Sequence, residues 1–258
     1  MKYFEEIKDD LIHKYKLEPQ KILSLYDIFG DFRNNQMIER WIANKLERVP
    51  EGKVLLDAGA GECRYEPYCQ HLKYIAQDFG KYHADVKWGG LHPDKWDASK
   101  VNITCDIIDM PLDNESVDVI LCSEVFEHLK NPVLAIKEFS RVLKSGGELI
   151  LTAPFCSLTH MAPYYFCNGF SKYWYEENLD DFGFTIKEIV PNGNFFKYLC
   201  QELLRIDKMA NRYCQYKLSE DDNSVVMGSI QLLSRLAERD IGSDEILCFG
   251  YMVHAQKR

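Results

Sequence analysis

Residues 53–65 read KVLLDAGAGECRY, and the fold follows from this stretch. Val54, Leu55 and Leu56 form a short apolar run of the kind that makes a strand buried on both faces of a parallel sheet. Asp57 closes the run. Gly59 and Gly61, with Ala60 between them, then let the backbone turn sharply and approach a ligand without a Cβ in the way. A second apolar segment, YIAQD, ends on Asp78, at the distance in sequence where a carboxylate grips a ribose. Strand, glycine turn and downstream acid together point to a nucleotide-like ligand.

Three such ligands compete. A dinucleotide fingerprint needs a third small residue three positions after the second glycine, for close helix packing, and Arg64 stands there. A phosphate-cradling loop needs Lys and then Ser or Thr, and Glu62 and Cys63 stand there instead. Glu62 would also repel a phosphate at a helix mouth. S-adenosylmethionine has no phosphate and carries a sulfonium cation, so an acidic glycine turn suits it.

Two further segments follow in order: ITCDIIDMPLDNESVDVILCSEVFEHLKNP from Ile103 to Pro132, and LKSGGELILTAP from Leu143 to Pro154. With the glycine turn, they closely resemble the class I S-adenosylmethionine-dependent methyltransferases, over roughly residues 50 to 190. The resemblance implies that Asp57, Gly59, Ala60 and Gly61 lie beside the methionine moiety. It implies that Asp78, with Phe79 next to it, takes the ribose hydroxyls. Asp106 would accept from the adenine amine, Ile107 would offer its backbone N–H to the ring, and Ser123 would sit near the sulfonium. Cys63 departs from the pattern, where a smaller residue is common.

Outside these motifs, 258 residues at 46% hydrophobic suit one α/β domain with additions. No apolar run is long enough to span a membrane. The N-terminal MKYFEEIKDDLIHKYKLEP is charged and helix-like rather than a signal peptide. Nine cysteines without a C-x-x-C pair read as reduced thiols, which suits a cytoplasmic protein. The formal net charge of -9 and the absence of a Lys/Arg cluster argue against a nucleic-acid substrate.

Strand-like runs at 53–57, 73–78, 102–105, 117–122, 147–153, 184–190 and 246–254 alternate with helix-like ones. The expected fold is a Rossmann-like, doubly wound, seven-stranded and mainly parallel α/β sheet. The resemblance adds that its last strand is antiparallel. Residues 1–50 read as a helical extension of a single domain, 51–190 as the cofactor-binding core, and 192–243 as a helical hairpin inserted before the last strand. Asn131 and Pro132 should start a helix that Gly146 ends. Phe196, Leu199, Leu203, Ile206, Ala210 and Tyr213 form one apolar stripe, and Val226, Ile230, Leu233 and Ala237 another, with EDDN as the turn between them. This seam packs on itself and on the sheet, or else makes a homodimer contact or covers the substrate site. Trp88, Gly89, Gly90 and Trp96 stand in an irregular stretch after the second strand.

Methyl transfer to oxygen or nitrogen needs an aligned acceptor and a group that takes its proton. Two of seven histidines fall at the right edge of the sheet. His128 follows the fourth strand, and His160 lies in the aromatic stretch Phe155–Tyr175, which reads as a substrate wall or, more plainly, as a packed loop. His13, His71, His83, His92 and His254 read as surface or packing residues. Glu124, Glu127 and His128 have the spacing E-x-x-E-H. On a helix these residues share a face, and with His160 they would form a set of divalent-metal ligands. That string resembles the metal-binding pattern of ubiquinone-biosynthesis and small-RNA methyltransferases. The favoured expectation is nevertheless a metal-free histidine base, His128 or His160, in an enzyme that methylates an oxygen of a small molecule, such as a sugar, glycan precursor or other metabolite. An RNA-modifying enzyme and a non-catalytic cofactor-binding partner subunit are the alternatives.

Overall fold

The structure, a computed structural model of the chain, describes residues 34–81, 97 and 99–258. The charged N-terminal stretch with His13 lies outside the described residues, as do His83, Trp88, Gly89, Gly90, His92 and Trp96.

The described chain runs α1 (Asn34–Leu46), β1 (Val54–Ala58), β2 (Lys73–Asp78), β3 (Ile103–Thr104), β4 (Val117–Ser123), α2 (Pro132–Val142), β5 (Leu143–Pro154), α3 (Lys172–Asp181), β6 (Phe184–Asn192), α4 (Phe195–Met209), α5 (Glu220–Ala237) and β7 (Gly250–Lys257). The seven strands form one sheet in the order β3-β2-β1-β4-β5-β7-β6. All pairings among β1 to β5 are parallel, and β7 runs antiparallel to both β5 and β6. Strand order reverses direction between β1 and β4, so a crevice opens beyond their carboxyl ends, where open α/β sheets bind ligands.

Both faces of the sheet are covered, which explains the continuous apolar runs. Leu55, Val119, Leu121 and Ile150 share a core cluster with Ile38, Ile42 and Leu46 of α1. Their sequence neighbours Leu56, Ile120, Cys122, Leu149 and Leu151, which point to the other face, are equally buried. Ala135, Ile136, Phe139 and Val142 of α2 are also fully buried. Phe126 stacks on Phe139 at 6.2 Å.

Several expected boundaries move. After β1 the chain makes turns and a short 3₁₀ segment, Glu66–Tyr68, in place of a long helix. α2 does end in the SGG region's neighbourhood, but at Val142; the backbone is extended from Leu143. Gly146, at φ +75, bends the strand there and does not end the helix. Asn131 occupies the N-cap position without a capping bond from its side chain. The last strand begins at Gly250, four residues later than expected, and runs on to Lys257; a 3₁₀ turn at Ser243–Glu245 precedes it.

The chain divides into two compact units, one of Ile38–Asn192 with Phe249–Arg258, and one that includes Gly193–Cys248. Within the second, Cys200 of α4 and Ile230 of α5 are buried against Leu203, Val226 and Leu233. The EDDN residues are the first turn of α5 and not a loop. Ser219 and Asp222 close a capping box there. Tyr213 is exposed, so the seam ends before it.

All nine cysteines are free, and Cys63, Cys69, Cys122, Cys200 and Cys248 are buried. Among the described residues no helix is long and apolar enough to cross a membrane.

Candidate active site

A cleft of about 310 Å³ opens where the strand order reverses. Of the residues singled out in the sequence, Gly59, Asp78, Phe79, Asp106, Ile107, Glu124 and His128 line it, joined by Gln77 and Tyr164. Asp57, Ala60, Gly61, Ser123 and His160 stand outside its lining.

The glycine turn is built on β2. Gly59 and Ala60 each donate a backbone N–H to the Gln77 carbonyl at 2.8 Å. Gly59 sits at φ +79, and a Cβ there would come within 2.5 Å of Val125 Cγ2. Glycine is therefore required twice over, by its dihedral and by the approach of the loop after β4. Asp78 is 4% exposed. Its Oδ2 accepts from the Gly61 N–H at 3.1 Å and its Oδ1 from the Gly80 N–H at 2.9 Å. The two bonds fix the carboxylate plane, and each oxygen keeps a lone pair for a further donor.

Asp57 lies under the turn. The Tyr74 hydroxyl donates to its Oδ2 at 2.6 Å. Burial raises its pKa to about 7; the Tyr74 bond opposes this and the neighbouring Asp78 adds to it. Gln77 is the residue that sequence reasoning passed over. It is 1% exposed, its amide donates to the Cys105 carbonyl at 2.8 Å, and its Oε1 accepts from Gly59 N–H at 3.2 Å. The available signal was a polar residue inside the otherwise apolar YIAQ run.

Ser123 is engaged elsewhere than the cleft. Its hydroxyl lies 2.9 Å from Thr152 Oγ1 and 3.3 Å from the Tyr65 hydroxyl. Thr152 in turn donates to Glu124 Oε1 at 3.0 Å. Glu124 adopts φ +56, the left-handed region. The residues from Glu124 to His128 are thus not one helix, and only Phe126–His128 forms a 3₁₀ turn. Burial, and then the charge of Glu127, raise the Glu124 carboxyl to about 8.

Glu127, His128 and His160 come together. The atoms they offer lie within 4.8 Å of one another, and Glu124 is not part of the set. His128 Nδ1 donates to the Tyr164 carbonyl at 2.5 Å, and His160 Nδ1 to the Leu158 carbonyl at 2.9 Å. Both Nε2 atoms face Glu127 Oε1, at 3.7 and 3.6 Å. Glu127 is 1% exposed, and its Oε2 is buried without a hydrogen-bond partner. Burial lowers the His128 pKa against the pull of Glu127. Burial also pulls on His160, but the Glu127 carboxylate and the Leu158 carbonyl outweigh it and raise that pKa. The other two described histidines are structural: His71 Nε2 is 3.1 Å from the Val49 carbonyl, and His254 Nε2 is 3.3 Å from Glu148.

The aromatic stretch folds back on this cluster. Phe166 N–H donates to the Glu127 carbonyl at 2.9 Å, and the Tyr165 hydroxyl donates to the Ser157 carbonyl at 2.7 Å. Met161, Tyr164 and Phe166 line the cleft, and Tyr164 meets Phe79 edge-on at 5.0 Å. Lys130 lies over the Phe166 ring at 5.8 Å.

Residues 56–151 match the sequence profile of a methyltransferase domain. A tRNA (carboxymethyluridine(34)-5-O)-methyltransferase of Arabidopsis thaliana is 26% identical over 53% of this chain and 33% of its own length. A sarcosine/dimethylglycine N-methyltransferase of Aphanothece halophytica is 27% identical over 44% of this chain and 42% of its own length. The chain thus spans between a third and a half of these relatives. Among solved structures, a geranyl diphosphate methyltransferase in complex with GPP and sinefungin superposes with a TM-score of 0.51 at 15% identity, covering 87% of this chain and 77% of the other. At that identity the superposition speaks for the fold.

Proposed function

We propose that this chain, whose residues 56–151 are a methyltransferase domain of the class I S-adenosylmethionine-dependent type, transfers a methyl group to an oxygen of a small molecule. The observation that carries the reading is the Asp78 carboxylate. It is buried at the cleft, fixed by two backbone N–H groups, and still has lone pairs for a ribose diol. The cleft fits the rest of the cofactor. Gly59 lets the loop after β4 close against the turn at the cleft, and Asp106 and Ile107 line the end where a purine amine and ring nitrogen would be read. When bound, S-adenosylmethionine supplies an electrophilic methyl group and leaves as a neutral thioether. Phe79, Tyr164 and Phe166 exclude water from the cleft and orient the acceptor. As the acceptor oxygen forms its new C–O bond, its proton passes to His128. The Nδ1–H of that ring is engaged by the Tyr164 carbonyl, which leaves Nε2 as the acceptor. Glu127 Oε1, 3.7 Å from that same Nε2, offsets the charge the ring gains, and His160 Nε2 faces the same oxygen at 3.6 Å.

Calorimetry with S-adenosylhomocysteine tests the cofactor assignment. One site per chain is expected, and Asp78→Ala should weaken it by about 1–3 kcal/mol, the worth of charge-assisted hydrogen bonds. Unchanged affinity in that variant would remove the ribose assignment, and NAD binding in its place would remove the whole reading.

One observation favours a second reading of the proton-handling cluster. Two imidazoles with their Nδ1–H groups held by carbonyls, facing a buried carboxylate with an unpartnered oxygen, make a His₂–carboxylate donor set. In this reading Glu127, His128 and His160 hold a divalent ion that would take the acceptor oxygen and lower its pKa. Titration of the protein with Mn²⁺ by electron paramagnetic resonance separates the two. The metal reading expects one site, lost in Glu127→Gln and kept in Glu124→Gln, because Glu124 is outside the set. The simple base expects no stoichiometric site, and its activity survives EDTA.

A further inference from the structure

A second constellation lies away from the cleft, between α2 and the loop joining β3 to β4. Arg141 Nε and Nη2 hold both oxygens of Glu138, at 2.8 and 2.7 Å. The same guanidinium donates to the Met110 carbonyl at 3.0 Å, the Leu112 carbonyl at 2.7 Å and Asn114 Oδ1 at 2.8 Å. Glu138 Oε1 also accepts from the Met110 N–H at 2.7 Å. Glu138 is 7% exposed. A buried acid and a guanidinium thus spend nearly all their donors and acceptors on one loop rather than on the core.

That loop continues directly from the purine end of the cleft. Asp106, Ile107 and Ile108 line the cleft. Just before them, the Cys105 carbonyl is fixed by the buried amide of Gln77. Just after them, Met110 is fixed at both its N–H and its carbonyl by Glu138 and Arg141. Between the two anchors only Ile107 is buried, while Asp106, Ile108 and Asp109 are exposed. Little packing holds this short span: its own bonds are a turn in which Asp106 Oδ1 accepts from the Ile108 N–H at 3.3 Å and the Asp106 carbonyl from the Asp109 N–H at 3.2 Å, and the two anchors set where that turn stands.

We propose that Glu138 and Arg141 are positioning residues for purine recognition: by pinning Met110 they set the direction of the Asp106 carboxylate and of the Ile107 N–H. The proposal rests on the cofactor reading above. A lysine at position 141 keeps the charge but cannot reach several carbonyls and a carboxylate from one plane. A glutamine at position 138 keeps the acceptor for Met110 but loses the charge that draws in the guanidinium.

The test compares S-adenosylhomocysteine with S-inosylhomocysteine by calorimetry, with thermal unfolding measured alongside. The inosine analogue replaces the amine donor by a carbonyl, which faces the Asp106 carboxylate unfavourably. The wild-type chain should prefer the adenosine compound by about tenfold or more. In Arg141→Lys and Glu138→Gln that preference should fall at least about threefold. In Asp78→Ala both ligands should weaken together, and their ratio should hold. Folded variants that keep the wild-type ratio overturn the proposal even if they melt at lower temperature. Variants that do not fold assign the pair to fold stability and overturn it as well. Failure of the wild-type chain to bind S-adenosylhomocysteine would instead remove the cofactor reading itself.

Discussion

Asp57 shows how much one side chain in this site costs the fold. Its carboxyl is buried on β1, with the Tyr74 hydroxyl as its hydrogen-bond partner and Asp78 nearby. Its pKa of about 7 in the folded chain lies above the 3.8 of an unhindered aspartate. The folded state therefore holds a proton that the unfolded state has lost. Stability drawn from this group is complete below about pH 4 and disappears as pH rises through about 7. At roughly 1.4 kcal/mol per pKa unit, the loss is at most about 4 kcal/mol. Asp57→Asn cannot ionise and still accepts from Tyr74, so it should melt above the wild type at pH 8, with the gap narrowing at pH 5. Calorimetric melts at the two pH values check this, and a gap that does not change with pH would show that ionisation is not the cause. Asp78, an acid at a strand end beside a glycine turn, was legible as a residue of the cleft, whereas Asp57, read in the same way, stands outside the cleft lining. Gln77 and Thr152 were not legible: their importance lies in what their side chains reach across the sheet, and no local pattern encodes that.

At the scale of elements, periodicity and turn chemistry located most strands but misjudged how the chain leaves them. Glu124 leaves β4 in a left-handed conformation, and this breaks the helical face that the E-x-x-E-H spacing implies. Three of the four expected ligands still converge, because the aromatic stretch brings His160 back to Glu127 and His128. No spacing rule could have predicted that return. By contrast, Ser219 and Asp222 carry an S-x-x-D capping signal that was readable, and it starts α5 where a turn was expected. The aromatic stretch is tied to the Phe126–His128 turn through the Glu127 carbonyl, and three of its side chains line the cleft, as a substrate wall would. Tyr164→Ala should lower methyl transfer from radiolabelled S-adenosylmethionine into a small-molecule extract by about tenfold, through lost orientation of the acceptor. Affinity for S-adenosylhomocysteine should change less than about threefold, since the edge contact with Phe79 is a modest one. Equal turnover in the variant and the wild type would reduce the stretch to a packed loop.

For the molecule as a whole, the open question is the class of acceptor, and net charge bears on it more than fold does. Relatives similar to parts of this chain are named for tRNA and for sarcosine and dimethylglycine. Proteins that bind RNA gain most of their affinity by neutralising phosphates and releasing counterions, and they need clustered Lys and Arg to do so. This chain carries 31 basic against 40 acidic residues. The cleft itself offers Lys81 and Lys130 beside Asp78, Asp106 and Glu124. A polyanion brought to this mouth would meet carboxylates as often as ammonium groups, whereas a small neutral acceptor meets aromatic walls and the histidine cluster without that penalty. A gel-shift titration with unfractionated tRNA at about 150 mM salt should therefore show no complex below about 10 μM protein, a level typical of non-specific binding at best. Lowering the salt should not produce the steep gain in affinity that counterion release gives. A complex at sub-micromolar protein whose affinity falls steeply with salt would reverse the assignment and make RNA the acceptor.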